Sequence, residues 1–157
     1  MKNYLLFSLA LVLSIGLIAC NDKDPFFFED DFSTVPPPYD ITTATKDERP
    51  NGLIVYTHDA GSGQFTITER DRVLLFYTFR LENGTIVQST YANGRTFPDE
   101  FGLSTTIRGF REGLVGAKEG SKLTLVIPPS LGYGDSPNSP YRTETLYYDI
   151  LIQTILD

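Results

Sequence analysis

IRGFREGLVGAKEGSKLTLVIPPSLGYGD, residues Ile107 to Asp135, joins a short helix to a strand and a glycine-rich loop. The helical part covers roughly Ile107 to Val115, with Ile107, Phe110 and Leu114 at apolar helical spacing. Gly109 and Gly113 interrupt it, and a glycine inside a helix costs about 1 kcal/mol relative to alanine. Two of them make sense where the helix must approach another element closely. From Lys122 the pattern changes to alternation, with Leu123, Leu125 and Ile127 on one face, until Pro128-Pro129 stops the run. The stretch therefore predicts one short helix lying against the apolar face of a sheet.

Strand signals dominate on both sides of it. GLIVYT, Gly52 to Thr57, is a short β-rich run, and RVLLFYTFRL, Arg72 to Leu81, alternates with Val73, Leu75, Tyr77, Phe79 and Leu81 on one face. Asn83-Gly84 follows as a hairpin turn, TIVQST returns as the partner strand, and Asn93-Gly94 marks another turn. Thr145 to Leu156 reads as a long last strand with Leu146, Tyr148, Ile150 and Ile152 on one face. A mostly antiparallel sheet with one helix to cover it belongs to the α+β class.

The 157 residues contain more than this domain. Met1 to Ala19, MKNYLLFSLALVLSIGLIA, has one basic residue and then a nearly unbroken apolar run, the layout of a secretory signal peptide. Leu17-Ile18-Ala19-Cys20 resembles a bacterial lipobox, which implies that Cys20 is lipidated and becomes the first residue of the mature chain. Cys20 is the only cysteine, so no intramolecular disulfide is possible. Residues 20–50 then read as the lipidated cysteine followed by an acidic, proline-rich tether. Positions 21–50 carry eight acidic and three basic residues, Pro36-Pro37-Pro38, and no sustained period. A flexible chain of that length spans roughly 30 Å. Within it Phe26-Phe27-Phe28 is a sticky cluster that suits either a lipid interface or the domain surface. The expectation is an exported protein, lipid-anchored in the bacterial cell envelope at the outer membrane, with its periplasmic or surface face left open.

Residues 51–157 form the folded domain, with twelve acidic and nine basic residues and a net charge of −3. No basic cluster tracks a phosphate backbone, so nucleic acid is not an expected partner. Nothing indicates an oligomer, and a monomer is expected. His58, the only histidine, is followed by Asp59 on a strand, where neighbours point to opposite faces, so a dyad is not expected and His58 reads as exposed. One cysteine and one histidine make no zinc site, and the carboxylates are not spaced for acid–base work. GLVGAKEGSK lacks the strand-before-helix context of a phosphate loop. No metal or cofactor is expected. The positive signal is aromatic: Tyr77, Phe97, Phe110, Tyr133 and Tyr148 sit at element ends or on inward strand faces.

The opening stretch resembles the central signature of FKBP-type peptidyl-prolyl cis-trans isomerases, an I-R-G-aromatic helix followed by a G-x-x-x-L-x-I-P strand and an [AG]-Y-G loop. YTFRLENGTIVQST, Tyr77 to Thr90, is similar to the family's Y-T-x-x-L-x-x-G hairpin. The resemblance runs from about Gly52 to Asp157. It implies a five- to six-stranded antiparallel sheet curved around one short helix, with an aromatic pocket for a prolyl side chain between them. In that pocket Phe110 stands under the ring where the family usually has tryptophan, and Tyr77, Phe97 and Tyr148 are walls. The backbone N–H of Ile107 is offered to a substrate carbonyl with Thr106 beside it, and Tyr133 hydrogen-bonds from the loop above. Val87, Gln88, Gly132 and Pro140 complete the substrate-binding set, and the partners are proline-containing segments of exported proteins.

Three positions depart from the pattern. Val87-Gln88 stands where the family shows aromatic-Asp, so a ring and a carboxylate that hydrogen-bonds the Tyr77 position are both missing. Tyr148 replaces a phenylalanine and adds a hydroxyl, which needs a partner if buried. Ser139 to Glu144 replaces an I-P-P-x-x loop that contacts substrate. The expected function is a prolyl isomerase with reduced or narrowed activity. The alternatives are a catalytically weak binding module or chaperone at the envelope, and a structural lipoprotein with a collapsed pocket.

Overall fold

The structure is a computed structural model that describes residues 30–156. The signal segment, Cys20 and Phe26–Phe28 lie outside the described residues.

Seven strands build one antiparallel sheet: β1 (Thr45–Glu48), β2 (Ile54–Asp59), β3 (Arg72–Leu81), β4 (Ile86–Ser89), β5 (Asp99–Gly102), β6 (Lys122–Ile127) and β7 (Leu146–Leu156). Their spatial order is β1-β2-β6-β7-β3-β4, with β5 also on β3. β4 pairs with the C-terminal half of β3 and β5 with its N-terminal half, so the two share one edge. The alternation in RVLLFYTFRL sorts as expected, Val73, Leu75, Tyr77 and Phe79 all being buried on the concave face.

The one α-helix among the described residues, α1 (Arg108–Leu114), buries Gly109, Phe110, Gly113 and Leu114. The glycines explain themselves here. A Cβ on Gly109 would lie 2.3 Å from the Ile127 Cγ2 methyl and 3.1 Å from Leu131 Cβ. One on Gly113 would lie 2.7 Å from a Leu125 methyl. The helix thus rests its backbone directly on β6, and the propensity lost is recovered as contact.

The expected tether boundary at Pro50 is corrected. Residues 45–48 are the edge strand β1, in register with β2 from Thr45↔Thr57 to Glu48↔Ile54. Residues 30–44 run as a strap across the outer face of the sheet. The Asp31 amide donates to Asn93 Oδ1 at 2.8 Å, and Thr34 Oγ1 donates to the Tyr91 carbonyl at 2.6 Å. Arg80 donates from Nη2 to the Pro36 carbonyl at 2.7 Å and pairs with Asp149 on β7 at 2.5 Å. The Arg80 and Asp149 side chains are only 7% and 12% exposed, so the strap encloses an ion pair. Asp149 also accepts from Thr124 Oγ1 at 2.6 Å, and Thr124 meets His58 Nε2 at 2.9 Å. His58 is therefore not the exposed residue expected: it is half-buried, with the Tyr39 ring packed edge-on at 5.1 Å. Tyr39 belongs to the strap, and its burial against the sheet pushes its phenol up to about 12.

Two outcomes follow from these contacts. Gly109→Ala gains about 1 kcal/mol of helix propensity but overpacks against a β-branched side chain, at a cost of about 1–3 kcal/mol. It lowers the urea midpoint, whereas Gly113→Ala, which meets the flexible end of Leu125, lowers it less. Arg80→Ala strands the Asp149 carboxylate and removes the strap's anchor. Urea titration of this variant shows a loss of about 3 kcal/mol, the low end for breaking a buried pair.

Candidate functional site

Between the N-terminal end of α1 and the concave face of the sheet lies a cleft of about 330 Å³. It is lined by Tyr77, Gln88, Phe101, Thr105, Thr106, Ile107, Phe110, Tyr133 and Tyr148. That volume is at the small end for ligand pockets, enough for a few residues of an extended chain.

Its floor is a continuous set of rings. Tyr148 on β7 stacks on Phe79 at 4.7 Å with an interplanar angle of 8°. Phe110 meets Tyr148 edge-on at 5.2 Å, and Phe101 lies tilted against it at 5.6 Å with 43° between the planes. Tyr77 stands edge-on to Phe101 at 5.3 Å, with 86° between the planes. These are the offset and T-shaped geometries favoured by ring quadrupoles. The register explains why they converge: Phe79↔Tyr148 are paired across β3 and β7, and Val73↔Phe101 across β3 and β5.

The rim is polar but uncharged. Ile107 caps the helix with an extended φ/ψ of −59°/149°, its carbonyl accepts from the Arg111 amide, and its own amide makes no backbone hydrogen bond among the described residues. That leaves the Ile107 amide, like the other first-turn amides of the helix, without a main-chain partner, beside Thr106 at the mouth. Burial raises the Tyr77 and Tyr148 phenols well above their ordinary value of 10. For Tyr148 the neighbouring Tyr133 adds to the same shift. No lining side chain is acidic or basic, and the two buried phenols stay neutral across the physiological range.

The structure brings together Tyr77, Ile107, Phe110, Tyr133 and Tyr148, with Thr106 and Gln88 at the rim. Four expected residues fall elsewhere. Phe97 is not a wall: it is 59% exposed, with the Arg95 guanidinium 4.5 Å above its ring. Pro98 cannot donate to a ladder, so β5 begins only at Asp99, and the aromatic that reaches the pocket is Phe101, four residues on. Val87 falls at the bulge between the pairs Phe79↔Gln88 and Arg80↔Ile86, where it packs on the core without lining the cleft. Gly132 lies behind the loop against Leu146, and Pro140 is exposed. The 139–144 loop contributes Tyr141 instead, which packs on Phe79 at 5.5 Å and on Tyr133 at 6.0 Å.

A family model described as FKBP-type peptidyl-prolyl cis-trans isomerase matches residues 63–153, more than half of the chain and all of the cleft. The chain belongs to this family. A probable FKBP-type peptidyl-prolyl cis-trans isomerase of Haemophilus influenzae is 38% identical over 107 residues, covering 64% of this chain and 41% of its own. The peptidyl-prolyl cis-trans isomerase Mip of Coxiella burnetii is 39% identical over 85 residues, covering 54% of this chain and 36% of its own. The chain thus spans well under half the length of these curated relatives. Among solved structures, FkpA from Escherichia coli superposes with a TM-score of 0.63 at 32% identity, over 71% of this chain and 51% of that one. AtFKBP13 gives 0.58 at 26% identity, over 70% and 98%. β1, β2 and the strap precede the matched residues, so the segment that covers the outer face lies outside the family match.

The two phenylalanines separate wall from bystander in this FKBP-type domain. Phe97→Ala changes the affinity for a proline-containing peptide less than twofold by calorimetry. Phe101→Leu, which removes the ring edge facing Tyr77 and Phe110, weakens it about fivefold to tenfold, about 1–1.4 kcal/mol.

Proposed function

We propose that this domain is a peptidyl-prolyl cis-trans isomerase acting on proline-containing segments of exported proteins, held at the cell envelope through a lipid on Cys20. The observation that carries the reading is a cleft of five rings lined by no acidic or basic side chain, with the Ile107 N–H at its mouth left without a backbone partner among the described residues.

Such a site matches what the reaction requires. Rotation about an X–Pro amide faces a barrier of about 18–20 kcal/mol because twisting destroys resonance. No bond to a heavy atom is made or broken, so no acid, base or nucleophile is called for. The twisted amide is less dipolar than the planar one and loses less on leaving water. An apolar cleft therefore favours it relative to the planar ground state. Phe110 and Tyr148 take the prolyl ring, and the Ile107 amide holds a carbonyl of the substrate. Tyr133, above the cleft, supplies a donor that fits the rotated geometry. Lowering the barrier by about 4 kcal/mol accelerates exchange roughly a thousandfold. Uncatalysed exchange takes tens to hundreds of seconds, so that gain matters to a folding chain.

One observation favours a second reading, a prolyl-binding chaperone with little turnover: Gln88 lines the cleft without a charge, at a position where the family resemblance implies a carboxylate. Refolding of a proline-limited protein separates the two. Catalytic amounts of an isomerase accelerate the slow phase with turnover, whereas a binder acts only near stoichiometry. The isomerase reading predicts turnover that falls at least tenfold in Phe110→Leu and is flat between about pH 5 and 9, because both buried phenols stay neutral there. Acceleration that persists unchanged in Phe110→Leu contradicts it.

A further inference from the structure

Four of the five rings that line the cleft sit inside regular elements: Tyr77 on β3, Phe101 on β5, Phe110 on α1 and Tyr148 on β7. The fifth, Tyr133, does not. Residues 132–145, between the turn at Pro129–Leu131 and β7, hold no strand or helix. A loop of that length inside a compact domain is uncommon and usually functional. A tyrosine carried on it reaches one fixed spot only if something restrains both its backbone and its ring.

The backbone restraint is a set of hydrogen bonds that fold the loop back on itself. The Gly134 amide donates to the Pro129 carbonyl at 2.7 Å, fixing the chain just after Tyr133. Arg142 Nε donates to the Gly134 carbonyl at 3.1 Å, which ties the returning chain to the same residue. The Tyr141 amide donates to Ser139 Oγ at 3.2 Å. The ring restraint is Tyr141 itself, whose ring meets that of Tyr133 at 6.0 Å with 48° between the planes. It also stands edge-on to Phe79 at 5.5 Å with 77° between the planes. Phe79 is buried within β3 and is the ring on which Tyr148 stacks. Tyr141 is half-buried and stands behind the cleft without lining it. It therefore connects the fixed core to the one cleft ring that no strand or helix holds.

We infer that Tyr141 is a positioning residue for the site: wedged between Phe79 and Tyr133, it holds the Tyr133 hydroxyl over the cleft. The inference rests on the prolyl-isomerase reading. Tyr141 acts through ring contacts, so its own hydroxyl is dispensable. The floor of Phe110, Tyr148 and Phe101 is held by other elements and stays in place without it. Losing the Tyr141 ring thus spares prolyl binding and impairs the step that uses Tyr133 in the rotated geometry.

The test uses the domain in five forms: unaltered, Tyr141→Leu, Tyr141→Phe, Tyr133→Phe, and Tyr133→Phe combined with Tyr141→Leu. Leucine keeps the loop packed while removing the ring. Each form is measured for kcat and KM on a short X–Pro peptide and for calorimetric affinity to it. Tyr141→Leu is expected to lower kcat about fivefold to tenfold, the range of one aromatic pair, with KM and affinity changed less than about twofold. Tyr141→Phe retains kcat to about twofold. In the Tyr133→Phe background, adding Tyr141→Leu changes kcat less than about twofold, because the hydroxyl to be aimed is already gone. The inference is overturned if kcat survives Tyr141→Leu, if the loss lies wholly in KM, or if Tyr141→Phe is as slow as Tyr141→Leu. A full further loss in the Tyr133→Phe background overturns it as well. If the unaltered domain binds the peptide without turning it over, the isomerase reading fails, and a crystal structure of Tyr141→Leu decides the role of Tyr141. A Tyr133 ring displaced from the cleft supports it, and a Tyr133 ring still in place overturns it.

Discussion

Everything at this site depends on how closely α1 can sit on β6. A helix of seven residues has no stability of its own in water, so its position is set entirely by packing. Gly109 and Gly113 remove the side chains that would hold it off Ile127 and Leu125. Because the helix backbone rests on the sheet, Phe110 is pressed against Tyr148 and Phe101 instead of standing free. The helix is also too short to cover the whole concave face. The cleft is the part of the aromatic face left over at its N-terminal end, with the uncommitted Ile107 amide at the mouth.

The two faces of the sheet divide the electrostatics between them. The concave face is apolar, and its phenols are held neutral by burial. On the outer face Arg80 and Asp149 are paired beneath the strap, with Thr124, His58 and Tyr39 extending the contact to β2. The strap reaches from β1 to the Asn93 turn, and that turn leads through Arg95 into the β5 wall of the cleft. The segment before the matched family unit is therefore physically continuous with the pocket's edge.

Periodicity made most of this legible. The alternation of RVLLFYTFRL put Tyr77 and Phe79 on the inner face, and the helix glycines indicated a close approach before its target was known. Seven of the eleven expected site residues line the cleft, most of them inside a regular element or beside its end. Phe97 does not, and the reason is local: Pro98 delays the strand, and Arg95 offers the ring a cation outside the core. Phe101 shares its face and precedes Gly102-Leu103, so the proline was the signal that separated the two. The strap was not legible because nothing in it repeats. It is held by a carbonyl, a hydroxyl and an Asx contact, each satisfied by a distant residue. Arg80 was the available sign, a charge inside an otherwise apolar strand that needed a cover.

The central claim is that a prolyl ring enters the cleft and rests on Phe110 and Tyr148. Nuclear Overhauser contacts between an isotope-labelled domain and a short X–Pro peptide test this most directly. The account predicts contacts from the prolyl ring protons to the rings of Phe110 and Tyr148, with the Ile107 amide among the most shifted resonances. Prolyl contacts confined to the outer face around Tyr39 and Tyr147, with the Ile107 amide unmoved, would contradict it.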